Sequence, residues 1–282
     1  MTPGIGLAVG AMFFFAVGDI IYKRAAANGV GASQFIMMQA WAFCPSVTLY
    51  AWTTGKLDVH LSALWGGLAG FCALIALYNF AASLKLGAVS TNAPIFRLNF
   101  TLTAALAILL LGEALSPSKA AAMVCALAAI WLILVEPGAA ALRPSAASLA
   151  RVMIATVAMG LANLFYKVGL QHGALPETMV SAQAWVFCSL ATLFNWWPER
   201  RLRVPAAAWR YSTLVAVTQV FSFLLLLHGL MLGPASVLVP VAQMGFVVTS
   251  LVGAVLFKEI LTRRKIAGLL VGVAALALFA VS

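Results

Sequence analysis

Four ionisable side chains stand inside long apolar runs of this sequence: Asp19, Lys23, Arg97 and Lys167. A charge at the middle of a membrane helix costs about 2.5–3.5 kcal/mol on insertion scales, so such residues pair with one another or line a polar path. Asp19 and Lys23 are four apart and share a helical face. A carboxylate there can take up and release a proton or hold a cation. It can equally form an internal ion pair with Lys23, or leave Lys23 to snorkel to the interface. Arg97 lies three residues after Pro94 and two before Asn99. Its guanidinium can grip a carboxylate or phosphate bidentately, or pair with Asp19 as structure. Tyr22, Gln39, Asn99, Asn163, Tyr166, Gln183, Gln219 and Gln243 add uncharged donors and acceptors within apolar segments. With the four charges they are the candidates for a substrate or ion pathway. The alternative for each is a hydrogen bond that ties two helices together.

Enzyme signatures are absent from the sequence, which has no HExxH, GxSxG or P-loop, and His60, His172 and His228 do not cluster. Cys44, Cys72, Cys125 and Cys188 lie in apolar runs without metal-ligand spacing. No catalytic residue, metal site or cofactor is expected.

The elements that must hold these side chains follow from composition. Of 282 residues, 64% are hydrophobic and 9% charged, and the mean hydropathy is +1.05. This composition requires lipid as solvent. Apolar runs punctuated by Gly, Pro and charge predict ten helices, near 4–26, 33–53, 61–86, 89–112, 118–136, 148–171, 177–197, 207–231, 234–257 and 263–281. The fold class expected is an all-α integral membrane protein. A β-barrel is excluded because the runs are long, rich in Ala and Leu, and do not alternate. The net charge of +10 is spread over short gaps, so nucleic-acid binding is not expected. No Lys or Arg precedes the first apolar run, which also contains Asp19, so a signal peptide is not expected. Pro94 and Pro240 sit inside predicted helices and are expected to kink them.

The phrase QAWAFC at 39–44 returns as QAWVFC at 183–188. In the register that sets residue 39 on residue 183, a shift of 144, Tyr22-Lys23 falls on Tyr166-Lys167, Trp41 on Trp185 and Cys44 on Cys188. Further on the shift is 146, and Pro94 meets Pro240, Glu113 meets Glu259 and Lys119 meets Lys265. The chain is thus expected to be two units, 1–137 and 148–282, joined by a linker at 138–147. Five spans per unit put the second unit in the membrane upside down, a plan associated with secondary transporters that alternate access to a central site. Gln39 and Gln183 are expected to face each other across one cavity, and Trp41 and Trp185 to pack or sit at the interface. Asn163 occupies the place of Asp19, so only one half can titrate there. Gly66 and Gly70, and again Gly268 and Gly272, are spaced for close helix packing within the chain.

The segment PIFRLNFTLTAALAILLLGEALSPSK (94–119) carries a P-x₁₆-LGE-x-L-x₃-K pattern, and its second copy PVAQMGFVVTSLVGAVLFKEILTRRK (240–265) keeps Pro240, Glu259, Leu261 and Lys265 but has Lys258 where the first copy has Gly112. LGAVS and LGPAS precede the two copies. This pattern resembles the EamA type of the drug/metabolite transporter superfamily, over essentially the whole chain. The resemblance implies two inverted five-helix repeats and a secondary active transporter of a small polar or amphiphilic metabolite: an amino acid, an amine or an organic anion. It implies a multi-pass protein of the cell (inner) membrane, working as exporter, proton-coupled or as an exchanger, as monomer or homodimer. A flippase for a lipid or lipid-linked carrier is the alternative, with a membrane enzyme or a passive channel more remote. First helices of the family often carry a tryptophan where this sequence has Asp19. Glu113 and Glu259 are expected to be scaffold, holding turns beside Lys119 and Lys265. Basic residues favour the loops after the first, third, fifth, seventh and ninth helices, which places those loops in the cytoplasm and both termini outside. Many relatives have both termini inside.

Overall fold

The structure, a computed structural model, describes residues 2–86, 89–134, 145–197, 202, 204–256 and 262–281. Among these residues there are helices and no strands. The helices are α1 (Pro3–Ala27), α2 (Ala32–Thr53), α3 (Leu64–Leu86, entered through a 3₁₀ turn at Leu61–Ala63), α4 (Val89–Arg97), α5 (Asn99–Leu111) and α6 (Pro117–Leu134). There follow α7 (Ala146–Gln171), α8 (Pro176–Trp196), α9 (Ala206–Leu232), α10 (Ala235–Gln243), α11 (Gly245–Leu256) and α12 (Arg263–Ala280). Four stretches are long and apolar enough to cross a membrane by length and composition: Pro3–Tyr22, Leu61–Ser83, Ala146–Gln171 and Ala208–Leu232. Shorter apolar helical stretches run over Ile95–Leu111, Pro117–Ile133 and Ala235–Thr249. Helix α7 begins at Ala146, where the Ser145 hydroxyl accepts the N–H of Ser148 at 3.1 Å. Most of the expected linker lies outside the described residues.

The predicted helices at 89–112 and 234–257 are not continuous. Each is cut in two, at Leu98 and at Met244. The cuts fall one turn beyond Pro94 and Pro240, which both lie inside helices (α4 and α10). A proline withdraws one N–H from the ladder without having to end the helix. The ladder is lost where Leu98 N–H donates to Ile95 O and Met244 N–H to Val241 O, each at 3.1 Å. These i→i−3 bonds tighten the turn and redirect the chain. After the first break, Asn99 Nδ2 donates to Phe96 O at 2.7 Å. Non-helical backbone at membrane depth persists where protein satisfies it in this way.

The duplication reappears as a two-fold arrangement. Helices α2 and α8 cross antiparallel. Trp41 Nε1 donates to Thr192 Oγ1 at 2.8 Å, and Trp185 Nε1 donates to Thr48 Oγ1 at 2.9 Å. Each threonine also donates to the carbonyl of the cysteine four residues before it, Cys44 or Cys188, at 2.8 Å. Between the two indole bonds, the thiols of Cys44 and Cys188 lie within hydrogen-bonding reach of each other. The two indole bonds are copies of each other in the repeat and the cysteines are equivalent residues, so the axis passes between the cysteines.

Packing follows the small residues. A Cβ on Gly70 would lie 2.9 Å from Gln183 Cα, and one on Gly66 3.0 Å from Met179 Cα, so α3 lies directly on the α8 backbone. A Cβ on Gly268 would meet Leu132 and Ile133 of α6 at 2.8 and 2.7 Å, and one on Gly272 would meet Val247 of α11 at 2.8 Å. Both glycine pairs therefore serve packing inside the chain. The core includes Met37, Phe100, Tyr166, Met179, Leu226 and Leu230. Phe13, Leu109, Leu110 and Leu270 point outward, as a lipid-facing surface requires, and Trp52, Trp131 and Trp197 are exposed at helix ends, where aromatic belts form.

Candidate functional site

The two helix breaks meet. Arg97 ends α4 and Gln243 ends α10, 146 residues apart, and Arg97 Nη1 approaches Gln243 Oε1 at 3.4 Å. Equivalent residues of the two repeats thus touch each other. The other edge of the guanidinium is taken by α1, with Arg97 Nη2 donating to Asp19 Oδ2 at 2.9 Å. The side chains of Asp19 and Arg97 remain 37% and 22% exposed, so the pair is not sealed inside the protein. Helical periodicity carries α1 onward from Asp19 to Tyr22, whose hydroxyl donates to Gln39 Oε1 of α2 and whose ring lies 4.7 Å from that of Phe35. From α9, Gln219 sits beside α1 at Gly18, where a Cβ would be 3.7 Å from its Nε2. The Oε1 of Gln219 is buried and without a hydrogen-bond partner.

Asp19, Tyr22, Gln39, Arg97, Gln219 and Gln243 are therefore brought together from α1, α2, α4, α9 and α10. The group joins both repeats. Its central pair is neutral as a whole and competes with any charged visitor. An incoming carboxylate or phosphate rivals Asp19 for the guanidinium fork, and an incoming ammonium rivals Arg97 for Asp19. No group of three metal-ligating side chains occurs among the described residues.

Other predicted pathway residues lie elsewhere. Asn99 and Asn163 are buried between α5 and α7, where Asn163 Nδ2 donates to Asn99 Oδ1 at 3.4 Å and Thr103 Oγ1 at 3.3 Å. Tyr166 packs in the core against Phe223. Lys167 donates to the carbonyls of Leu230 at 2.6 Å and Gly233 at 2.8 Å, tying down the end of α9. The side chains of Lys23 and Pro94 lie outside the described residues, as does Glu259. The internal pair expected of Asp19 is made with Arg97.

Gln39 and Gln183 do not face each other. Gln39 bonds Tyr22, whereas Gln183 is buried on α8 against α3 with its Oε1 unpartnered. The cause is the axis itself: only residues beside a two-fold in the membrane meet their equivalents. Cys44 and Arg97 are beside it, and Gln39 is a turn or more away.

At the N-terminal end of α1 a second polar layer closes the bundle. Glu177, in the first turn of α8, is 1% exposed. Its Oε1 accepts from Lys56 Nζ, in the loop after α2, at 2.7 Å and lies 3.3 Å from His228 Nε2 of α9. The contact with Glu177 raises the Lys56 ammonium above its ordinary range, first through the hydrogen bond and then through charge. Nearby, Glu113 acts as scaffold beside Lys119. Its two oxygens accept the N–H groups of Ala235 and Ser236 at 2.7 and 2.8 Å, capping α10 of the other repeat. Lys119 Nζ donates to Ala114 O at 2.6 Å and Ser236 Oγ at 2.9 Å. Sequence reasoning passed over Glu177. Its only signal is a carboxylate directly after Pro176, which reads as a loop acid.

The comparisons with known proteins agree with this architecture. The model of the EamA-like transporter family matches twice, over residues 2–135 and 147–281. Comparison with curated proteins gives no significant match. A solved structure described only as "Crystal structure of protein" superposes with a TM-score of 0.84, at 13% identity, over 99% of this chain and 96% of the other. That likeness concerns the fold. With both halves matched by one family model and the helices paired about one axis, the chain belongs to the EamA-like transporter family of the drug/metabolite transporter type.

Proposed function

We propose that this protein is a ten-span secondary active transporter of the cell (inner) membrane that exports a small polar or amphiphilic metabolite carrying a charged amine, a carboxylate or both. The observation that carries the reading is the Asp19–Arg97–Gln243 group, charged and partly exposed, held where the broken helices of both repeats meet. Broken helices at a repeat interface are where carriers of inverted design place their binding sites. Substrate binding separates Asp19 from Arg97, and the resulting shift in balance between the two packings of the repeats moves the opening from one face to the other. In the state described, the face at the N-terminal end of α1 is tied by Glu177, Lys56 and His228, while Asp19 and Arg97 stay partly exposed. The bias of basic residues supports an external position for the tied face and an opening toward the cytoplasm. Exchange of a second substrate or of a proton resets the carrier. One chain suffices as the working unit, since both repeats complete the site.

Reconstituted protein tests this. Liposomes loaded with an unlabelled amino acid, amine or organic anion should show saturable counterflow of the labelled compound in at least one case. Arg97→Gln and Asp19→Asn should each abolish it while leaving the protein folded. No movement of any candidate under any imposed gradient would remove the transporter reading, and counterflow that survives both substitutions would remove this site.

A further inference from the structure

His228 and Glu177 meet at ion-pair distance near the N-terminal end of α1. His228 Nδ1 lies 2.8 Å from the carbonyl oxygen of Leu224. A carbonyl can only accept, so Nδ1 carries a hydrogen. Nε2 of the same ring faces Glu177 Oε1 at 3.3 Å. At that distance the two groups form an ion pair once Nε2 is protonated. Lys56 Nζ donates to the same oxygen at 2.7 Å. His228 is 36% exposed and Lys56 45% exposed, while Glu177 is buried. The ring is thus partly exposed while the carboxylate it faces is enclosed.

The three groups come from three separate places. Lys56 belongs to the first repeat, Glu177 to the start of α8 and His228 to the last turns of α9. Near His228 the other charged group is Lys167 of α7, held on the carbonyls of Leu230 and Gly233, with Glu113 beyond it. Helix α10 contains no titratable residue, nor does the half of α1 that packs near Gly229. Asp58 is placed by its backbone N–H on Thr178 Oγ1 at 3.0 Å. The repeat gives the opposite end different chemistry. Residue 33 corresponds to residue 177, and Ser33 Oγ donates to Asn195 Oδ1 at 2.7 Å, a neutral tie between the same two helices.

Resting on the alternating-access reading above, we propose that Glu177 and His228 form a proton-binding site that latches α9 to α8, so that protonation from the adjoining solution closes this face and deprotonation releases it. No bond other than N–H is made or broken: Nε2 gains or loses one proton to water or buffer. Asp19 is then free to serve the substrate.

Distance measurement on the full chain in detergent tests this without a substrate. Spin labels go on Val59→Cys and Leu232→Cys, both exposed positions, with the four native cysteines changed to serine. Between about pH 5 and pH 9, across the histidine range, the ratio of short to long separations should fall at least about tenfold, a change typical of a biased two-state element. His228→Arg, with a fixed charge, should keep the short separation at both pH values, and His228→Gln should give the same ratio at both. If His228→Arg does not fold, Glu177→Gln supplies the second arm and should also flatten the response. A wild-type ratio that does not move with pH overturns the latch, as does a pH response retained by His228→Gln. A protein that performs counterflow without the distance change refutes the latch alone, and a protein that changes distance but moves no substrate refutes the transport reading alone.

Discussion

Arg97 offers two edges of its guanidinium, and they are used unequally. The bond to Asp19 is short at 2.9 Å, whereas the approach to Gln243 is long at 3.4 Å. A planar fork with a weakly used edge is ready for a second carboxylate or phosphate, and a lysine ammonium has no such fork. Arg97→Lys should therefore fold and keep the pairing with Asp19, yet bind an anionic or zwitterionic ligand about tenfold or more weakly, read as a smaller ligand-induced thermal shift. Lys56 gives a prediction of opposite character. Glu177 raises its folded-state value, so the stabilisation is fully present below the ordinary lysine value of about 10.4 and is lost as pH rises through the raised one. Lys56→Met should flatten the alkaline fall of the unfolding midpoint in detergent and leave its behaviour near neutrality almost unchanged. Asp19 and Arg97 were legible in the sequence because charge in an apolar run demands an explanation. Glu177 was not, because burial of a residue beside Pro176 depends on α9 and on a loop from the other repeat, neither of which is near it in sequence.

The elements owe their arrangement to a few residues that permit contact. Gly66 and Gly70 sit on the α8 backbone, where no neighbour is a flexible side chain that could withdraw. Gly66→Ala and Gly70→Ala should each force α3 from α8 and cost about 1–3 kcal/mol as overpacking. Gly6→Ala, where nothing lies within 4 Å, should be neutral or stabilise by up to about 1 kcal/mol. Thermal unfolding of the three variants in one detergent compares them, and equal losses would contradict the packing. The glycine spacing was readable in advance, as was the order of apolar helices. The breaks were not readable, because nothing in the residue types of Leu98 and Met244 announces that their N–H groups bond three residues back. The paired threonines were not foreseen either. Thr48 and Thr192 each serve an indole from the other helix, so Thr48→Val and Thr192→Val should cost similar amounts, about 0.6–1.7 kcal/mol in a membrane setting.

For the whole molecule, the sequence repeat implied two halves in opposite orientation, but it could not say which residues lie beside the axis. That depends on depth: Cys44 meets Cys188 and Arg97 meets Gln243, while Gln39 and Gln183 are carried apart. The cysteine pair checks the axis directly. With a protease site placed in the segment 138–147, mild oxidation by a copper–phenanthroline complex should keep the cut halves together on a non-reducing gel, and Cys44→Ser should release them. Halves that separate after oxidation would show that α2 and α8 cross elsewhere. The ties at the two ends of that crossing differ in kind, Ser33 with Asn195 at one and Glu177 with Lys56 at the other. Salt screens an ion pair that touches water and leaves a neutral hydrogen bond nearly untouched. Added salt should therefore loosen the Lys56 end of an otherwise palindromic crossing and leave the Ser33 end nearly as it was, like a hinge with one screw that the bath can turn.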